Sequence, residues 1–129
     1  MTVRLLAVLL WLMLHGGCAS TALWAGMPID DVQRVAGVWR GWLITPRDYV
    51  AATLTITNDG GFELSAPRTW VTGIVARADG GLRFQALSGR AAGGWHGTIT
   101  LDEHGDTRLL KIARDDRLFP GRFTPDPDG

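Results

Sequence analysis

Asp-Gly-Gly occurs twice in this chain, in NDGGF (58–62) and ADGGL (78–82), each time between an alternating apolar/polar stretch and the next apolar residue. Glycine at such points supplies the positive φ that tight hairpins demand. EHGDT (103–107) is a looser third version. Turns this close together leave no room for crossover helices, so neighbours in sequence become antiparallel neighbours in the sheet. That excludes helical bundles and doubly wound α/β folds.

Between the turns the chain reads as eight short strands, near Val38–Thr45, Tyr49–Thr57, Gly61–Ala66, Thr69–Arg77, Gly81–Leu87, Trp95–Asp102, Thr107–Arg114 and Leu118–Thr124. Two of them alternate cleanly. ATLTITN sets Leu54 and Ile56 against Thr53, Thr55 and Thr57; WHGTITLD sets Trp95, Ile99 and Leu101 against His96, Thr98, Thr100 and Asp102. One buried and one wet face is the mark of antiparallel pairing. Seven or eight such strands either close into a ring or leave two raw edges, and closure removes the edges. The expected fold is therefore all-β: a single small antiparallel up-and-down barrel over 37–124, with an open sandwich as the second choice.

Ahead of the barrel lies a different kind of segment. Arg4 is followed by ten apolar residues, Leu5 to Leu14, and then by Gly16-Gly17-Cys18-Ala19-Ser20. A basic start, a short apolar run and small residues make a secretory signal over 1–17; the run falls short of the roughly 20 apolar residues a bilayer span needs. Cys18 is the only cysteine in the chain. LHGGCAS resembles the lipobox of bacterial lipoproteins, with His15 where leucine is usual. The resemblance implies cleavage between Gly17 and Cys18, acylation of Cys18, and an anchor in the cell envelope, at the outer membrane facing the periplasm. Cleavage after Ala22, releasing a soluble exported domain, is the alternative. Residues 18–36 then form a tether, with a short helical turn in PIDDVQRVAG (28–37), and 125–129 a disordered tail.

Without the leader the chain keeps 12 basic and 13 acidic residues, with arginines scattered from Arg34 to Arg122. Nucleic acid binding needs clustered positive charge, which is missing. With one cysteine no internal disulfide is possible, so the core alone must stabilise the fold.

At the first strand, GVWRG (37–41) is similar to the Gly-X-Trp start of lipocalins, avidins and related calycin barrels. There the tryptophan plugs one barrel end under a basic residue of the last strand, which implies Trp39 packed against Arg122. As a binding module, such a barrel could hold a small apolar ligand in a cavity lined by Trp39, Leu54, Ile56, Trp70 and Trp95. The same large side chains could instead fill the centre, since eight strands give an interior about wide enough for side chains or one small ligand. A second reading uses the surface. LSGRAAGG (87–94) is the longest glycine-rich connection, and its Ser88-Gly89 is similar to the loop with which small lipidated barrels inhibit lysozyme. A third is an envelope structural protein with no ligand.

Chemistry finds little support. His104 sits among Asp102, Glu103 and Asp106, which reads as a solvated hairpin tip more simply than as a metal site. Ser65 and Ser88 lie in no nucleophile turn, and Asp30-Asp31 and Asp115-Asp116 read as loop carboxylates. No catalytic residue, metal or cofactor is expected. The expected partners are membrane lipid at Cys18 and a small apolar ligand or a protein.

Overall fold

The computed structural model describes residues 27–28, 31–90 and 93–128. The signal segment, Gly17 and Cys18 lie outside the described residues. Nine strands run in chain order: β1 Met27–Pro28, β2 Gly37–Ile44, β3 Tyr49–Ile56, β4 Gly61–Ala66, β5 Thr69–Ala78, β6 Gly81–Arg90, β7 His96–His104, β8 Thr107–Arg114 and β9 Gly121–Pro125. Each of β2 to β9 pairs antiparallel with the next, and β9 pairs back onto β2. The result is a closed eight-stranded up-and-down barrel, as the turn spacing requires.

One end of the barrel, here the lower, carries the turns β3–β4, β5–β6 and β7–β8. Gly60, Gly80 and Gly105 hold positive φ in those turns. Also at this end is the one 3-10 turn among the described residues, Val32–Arg34, where the Asp31 carboxylate accepts from the Gln33 N–H at 2.9 Å. The upper end carries the connections β2–β3, β4–β5, β6–β7 and β8–β9. β1 is a short strand that no sequence period announced. It pairs Met27 with Leu101 and Pro28 with Thr100, extending an edge of β7 below the point where β6 begins.

Alternation decides what lies inside. Leu54 and Ile56 are buried, as are Trp95, Ile99 and Leu101, so both clean period-two stretches point as expected. Trp39 and Trp42 part company: Trp39 is inside, Trp42 half exposed outside. Among the described residues, the buried hydrophobic core falls between Val35 and Phe123, within the barrel and the turn that leads into it.

Three sequence expectations need correction. The glycine-rich stretch from Leu87 is not a free loop. Ser88, Gly89 and Arg90 pair with Thr72, Val71 and Trp70, and a β-bulge between Thr72 and Gly73 absorbs the odd residue. The last strand starts at Gly121, because Arg117 and Phe119 take left-handed backbone and break any ladder before it. Residues 125–128 are not a disordered tail either, and Gly129 lies outside the described residues. Pro125 completes β9, and the Asp126 N–H donates to the Val38 carbonyl while its carboxylate takes the Arg40 Nε–H at 2.7 Å.

Closure rests on close backbone approach. Gly41 faces inward opposite Phe123, and a Cβ there would lie 1.8 Å from the Arg122 carbonyl oxygen. Gly41→Ala must therefore push β2 and β9 apart. Overpacking of this kind costs roughly 1–3 kcal/mol, and the urea midpoint of the variant should fall accordingly, with the loss carried by the unfolding free energy.

Candidate functional site

The interior was the first candidate. Of the five residues expected to line a cavity, Trp39, Leu54, Ile56 and Trp95 do point inward and are buried. Trp70 does not. It lies on the outer wall, 47% exposed, because Val71 and Val75 take the inward positions of β5. The space between the inward residues is closed. Phe62 and Phe84, neither singled out from the sequence, meet edge to face with ring centroids 6.0 Å apart. Together with Leu54, Leu64, Trp95 and Ile112 they leave a void of about 10 Å³. A ligand pocket needs roughly 300–1,000 Å³, so the barrel centre is packed and these residues enclose no space for the ligand expected there.

Both ends are plugged by the same device. Strand β8 presents Arg108, Leu110, Ile112 and Arg114 on one face, an arginine at each end of an apolar pair. At the lower end the Arg108 guanidinium lies 5.1 Å from the centre of the Trp39 ring, and its Nη2 donates to the Arg34 carbonyl. The Trp39 indole N–H donates to the Val35 carbonyl at 2.8 Å, so the buried ring has no unmet donor. At the upper end Arg114, only 7% exposed, lies 4.5 Å from Trp95 and 5.4 Å from Phe119 and pairs with Asp116.

The expected partner of Trp39 was Arg122, and this is corrected. Arg122 pairs in register with Trp42 on the outer wall, between the inward residues Gly121 and Phe123. A period of two cannot bring it to the face that holds Trp39. The tryptophan plug under a cation is present, but the cation comes from the penultimate strand. A sequence signal for it existed in RLLKIAR (108–114), where arginines bracket an apolar alternation.

Chemistry-bearing side chains are dispersed. Ser88 shares a 2.7 Å hydrogen bond with Thr72 on the outer wall, and Ser65 lies on β4, three strands from His96 on β7. The His96 Nδ1–H donates to Asp115 at 2.8 Å, and Arg83 pairs with the same carboxylate. These hydrogen bonds, Arg83's first, hold the Asp115 carboxyl below the usual range. Asp31 serves as the cap described above, and Asp30 lies outside the described residues. Among the described residues no three His, Cys, Asp or Glu side chains gather where they could hold an ion.

What remains is the outer wall. A groove of about 600 Å³ runs over β3, floored by Ala51 and Thr53 and walled by Trp42 on β2 and by Ser65 and Pro67 on the far side. A second, of about 480 Å³, lies over β5 and β6, with Arg83 and His96 at its border. Sequence reasoning missed both, because each is made of small outward residues on strands that meet only in the sheet.

Two outcomes follow from the ion pairs. Removing Asp116 alone strands a buried guanidinium, whereas replacing both members removes the charge as well. Asp116→Ala should thus lower the melting temperature more than Arg114→Met/Asp116→Ala. The second outcome concerns acid. Asp115, Asp126 and Asp59 all have carboxyls lowered by hydrogen bonds, from Arg83, from the Asp128 N–H and from Thr57 respectively. A carboxyl lowered in the folded state stabilises above its unfolded value, about 3.9, and that contribution disappears as pH falls through the folded value. Melting temperature should hold from pH 7 to about 5 and decline below pH 4. Asp115→Asn should flatten part of that decline.

Compared with known proteins, this chain matches no family model, no curated protein and no solved structure.

Proposed function

We propose that this protein is a lipid-anchored barrel of the bacterial cell envelope that binds a partner through its outer wall, around a solid core, and does no chemistry of its own. The observation that carries the reading is the contrast in free space: about 10 Å³ inside against about 600 Å³ in the groove over β3. A binding module with no room inside must present its contacts outside. The anchoring half of the reading rests on LHGGCAS and the leader before it. Two or more acyl chains on Cys18 would hold the domain stably, where a single chain is marginal.

The two halves are tested separately. Growth with a radioactive fatty acid should leave label on the mature protein and none on Cys18→Ser; an unlabelled wild type rejects the anchor. For the barrel, an environment-sensitive apolar dye or a fluorescent fatty acid should leave the tryptophan emission of Trp39 and Trp95 unchanged. A saturable shift in that emission, abolished by filling the centre with Leu64→Phe, would restore the interior as the binding site.

A further inference from the structure

Charge and apolar exposure are unevenly placed on this barrel. Five of the six large apolar side chains exposed among the described residues lie in its upper half: Trp42, Tyr49, Trp70, Leu87 and Leu118. Cations divide in the same way. Toward the lower end they are spoken for, Arg34 and Arg108 by Glu103, Arg40 by Asp126 and Lys111 by Asp102. Four arginines, Arg47, Arg68, Arg117 and Arg122, have exposed side chains with no ion-pair or hydrogen-bond partner among the described residues. All four belong to the upper end. The carboxylates there are occupied: Asp115 and Asp116 are held by Arg83 and Arg114, and Asp48 accepts the Tyr49 N–H.

Two of these arginines stand where glycine is usual. Arg68 has φ 64° in the two-residue turn Pro67-Arg68, and Arg117 has φ 61° in the β8–β9 connection. Left-handed backbone disfavours side chains with a Cβ, so folding stability is spent to display a cation at both positions. Arg122 sits beside Trp42 across the β2–β9 ladder, and the Ile44 N–H donates to the Pro120 carbonyl, which draws the loop of Arg117 and Leu118 to the same rim.

We propose that the groove over β3 docks an extended acidic segment of a partner protein. Carboxylates of the segment would meet the four open arginines, and its apolar side chains would lie against Trp42 and Trp70. The proposal deepens the reading given above and rests on binding through the outer wall. The groove spans two strand spacings, roughly 10 Å, the width of one extended chain. Trp, Tyr and Arg are also the side chains that carry most of the energy of protein interfaces, and the guanidinium fork matches carboxylate geometry.

The anchoring bilayer is the rival occupant, and the topology disfavours it. The chain enters the barrel through β1, which pairs with β7 toward the lower end. β7 stands four strands from β3 in a ring of eight, on the opposite side. A tether from Cys18 thus joins the barrel at the end and side farthest from the groove.

The test uses the full-length protein as purified, in phosphatidylcholine nanodiscs, titrated calorimetrically with decapeptides that alternate Glu and Leu or Lys and Leu. The acidic peptide should bind saturably and the basic one at least tenfold more weakly. R47Q/R68Q/R117Q/R122Q should weaken the acidic peptide about tenfold or more, and Trp42→Ala should also weaken it. Lys111→Gln, whose cation is already paired, should not. Circular dichroism of each variant should match wild type; if the fourfold variant is misfolded, Arg47→Gln/Arg122→Gln supplies the same comparison. Equal binding of both peptides, or full affinity in the folded arginine variant, overturns the proposal. Loss of peptide binding when phosphatidylglycerol is added to the discs also overturns it, in favour of a lipid surface. Peptide binding by a protein that carries no acyl label supports this proposal while rejecting the anchor. Labelled protein that ignores both peptides rejects this proposal alone.

Discussion

Eight strands closed into a ring enclose a space only as wide as the side chains pointing into it, and everything else in this molecule follows from how that space is filled. Alternation sends one residue in two to the centre. Here those residues are large: Trp39, Leu54, Phe62, Leu64, Phe84, Trp95 and Phe123 are all buried in one cluster. With no disulfide available, burial is the chief source of stability, at about 25 cal/mol for each Å² of apolar surface removed from water. A hollow centre would sacrifice part of that term. The core therefore competes directly with an internal binding site, and in this chain the core has won.

Filling the centre leaves two open ends, where large aromatic rings would otherwise meet water. The chain solves both with one strand. Arg108 and Arg114 stand at the two ends of the inward face of β8, each over a tryptophan. A guanidinium suits the position because its flat face stacks on an aromatic ring while its edge still reaches a carbonyl or carboxylate. The upper plug has the harder task. Arg114 is buried, its Nε–H has no hydrogen-bond partner among the described residues, and the pair with Asp116 must offset the loss of water around its charge. Gly94 makes room for that pair, since a Cβ there would approach the Arg114 Nη2 to 2.7 Å. With core and plugs in place, the open space that remains lies on the wall. Its small outward residues over β3 leave a trough between strands that larger side chains would have covered.

Much of this was legible along the chain. Turn chemistry and period-two alternation are local, so the strands from Gly61–Ala66 and Thr107–Arg114 were found to the residue, and the inward faces at Leu54–Ile56 and Trp95–Leu101 were assigned correctly. Trp70 was not, because TWVTGIVAR has apolar residues on both parities and a bulge beside Gly73 that no periodicity reveals. Ser88–Arg90 read as loop because Ser and Gly dominate it, yet the partner strand β5 is long enough to draw it into the sheet. The end of the chain read as tail for its prolines and aspartates, and the Arg40–Asp126 pair that holds it joins residues 86 positions apart.

By itself the sequence determined the eight strands of the ring, their order, their antiparallel sense and the need to close, since each depends on residues a few positions apart. Only the tertiary structure decided which arginine covers Trp39, that the centre is solid, and where grooves open on the wall. Those outcomes depend on which residues of distant strands come face to face once the ring has closed, and on whether the volumes of side chains far apart in the chain add up to the width of the barrel.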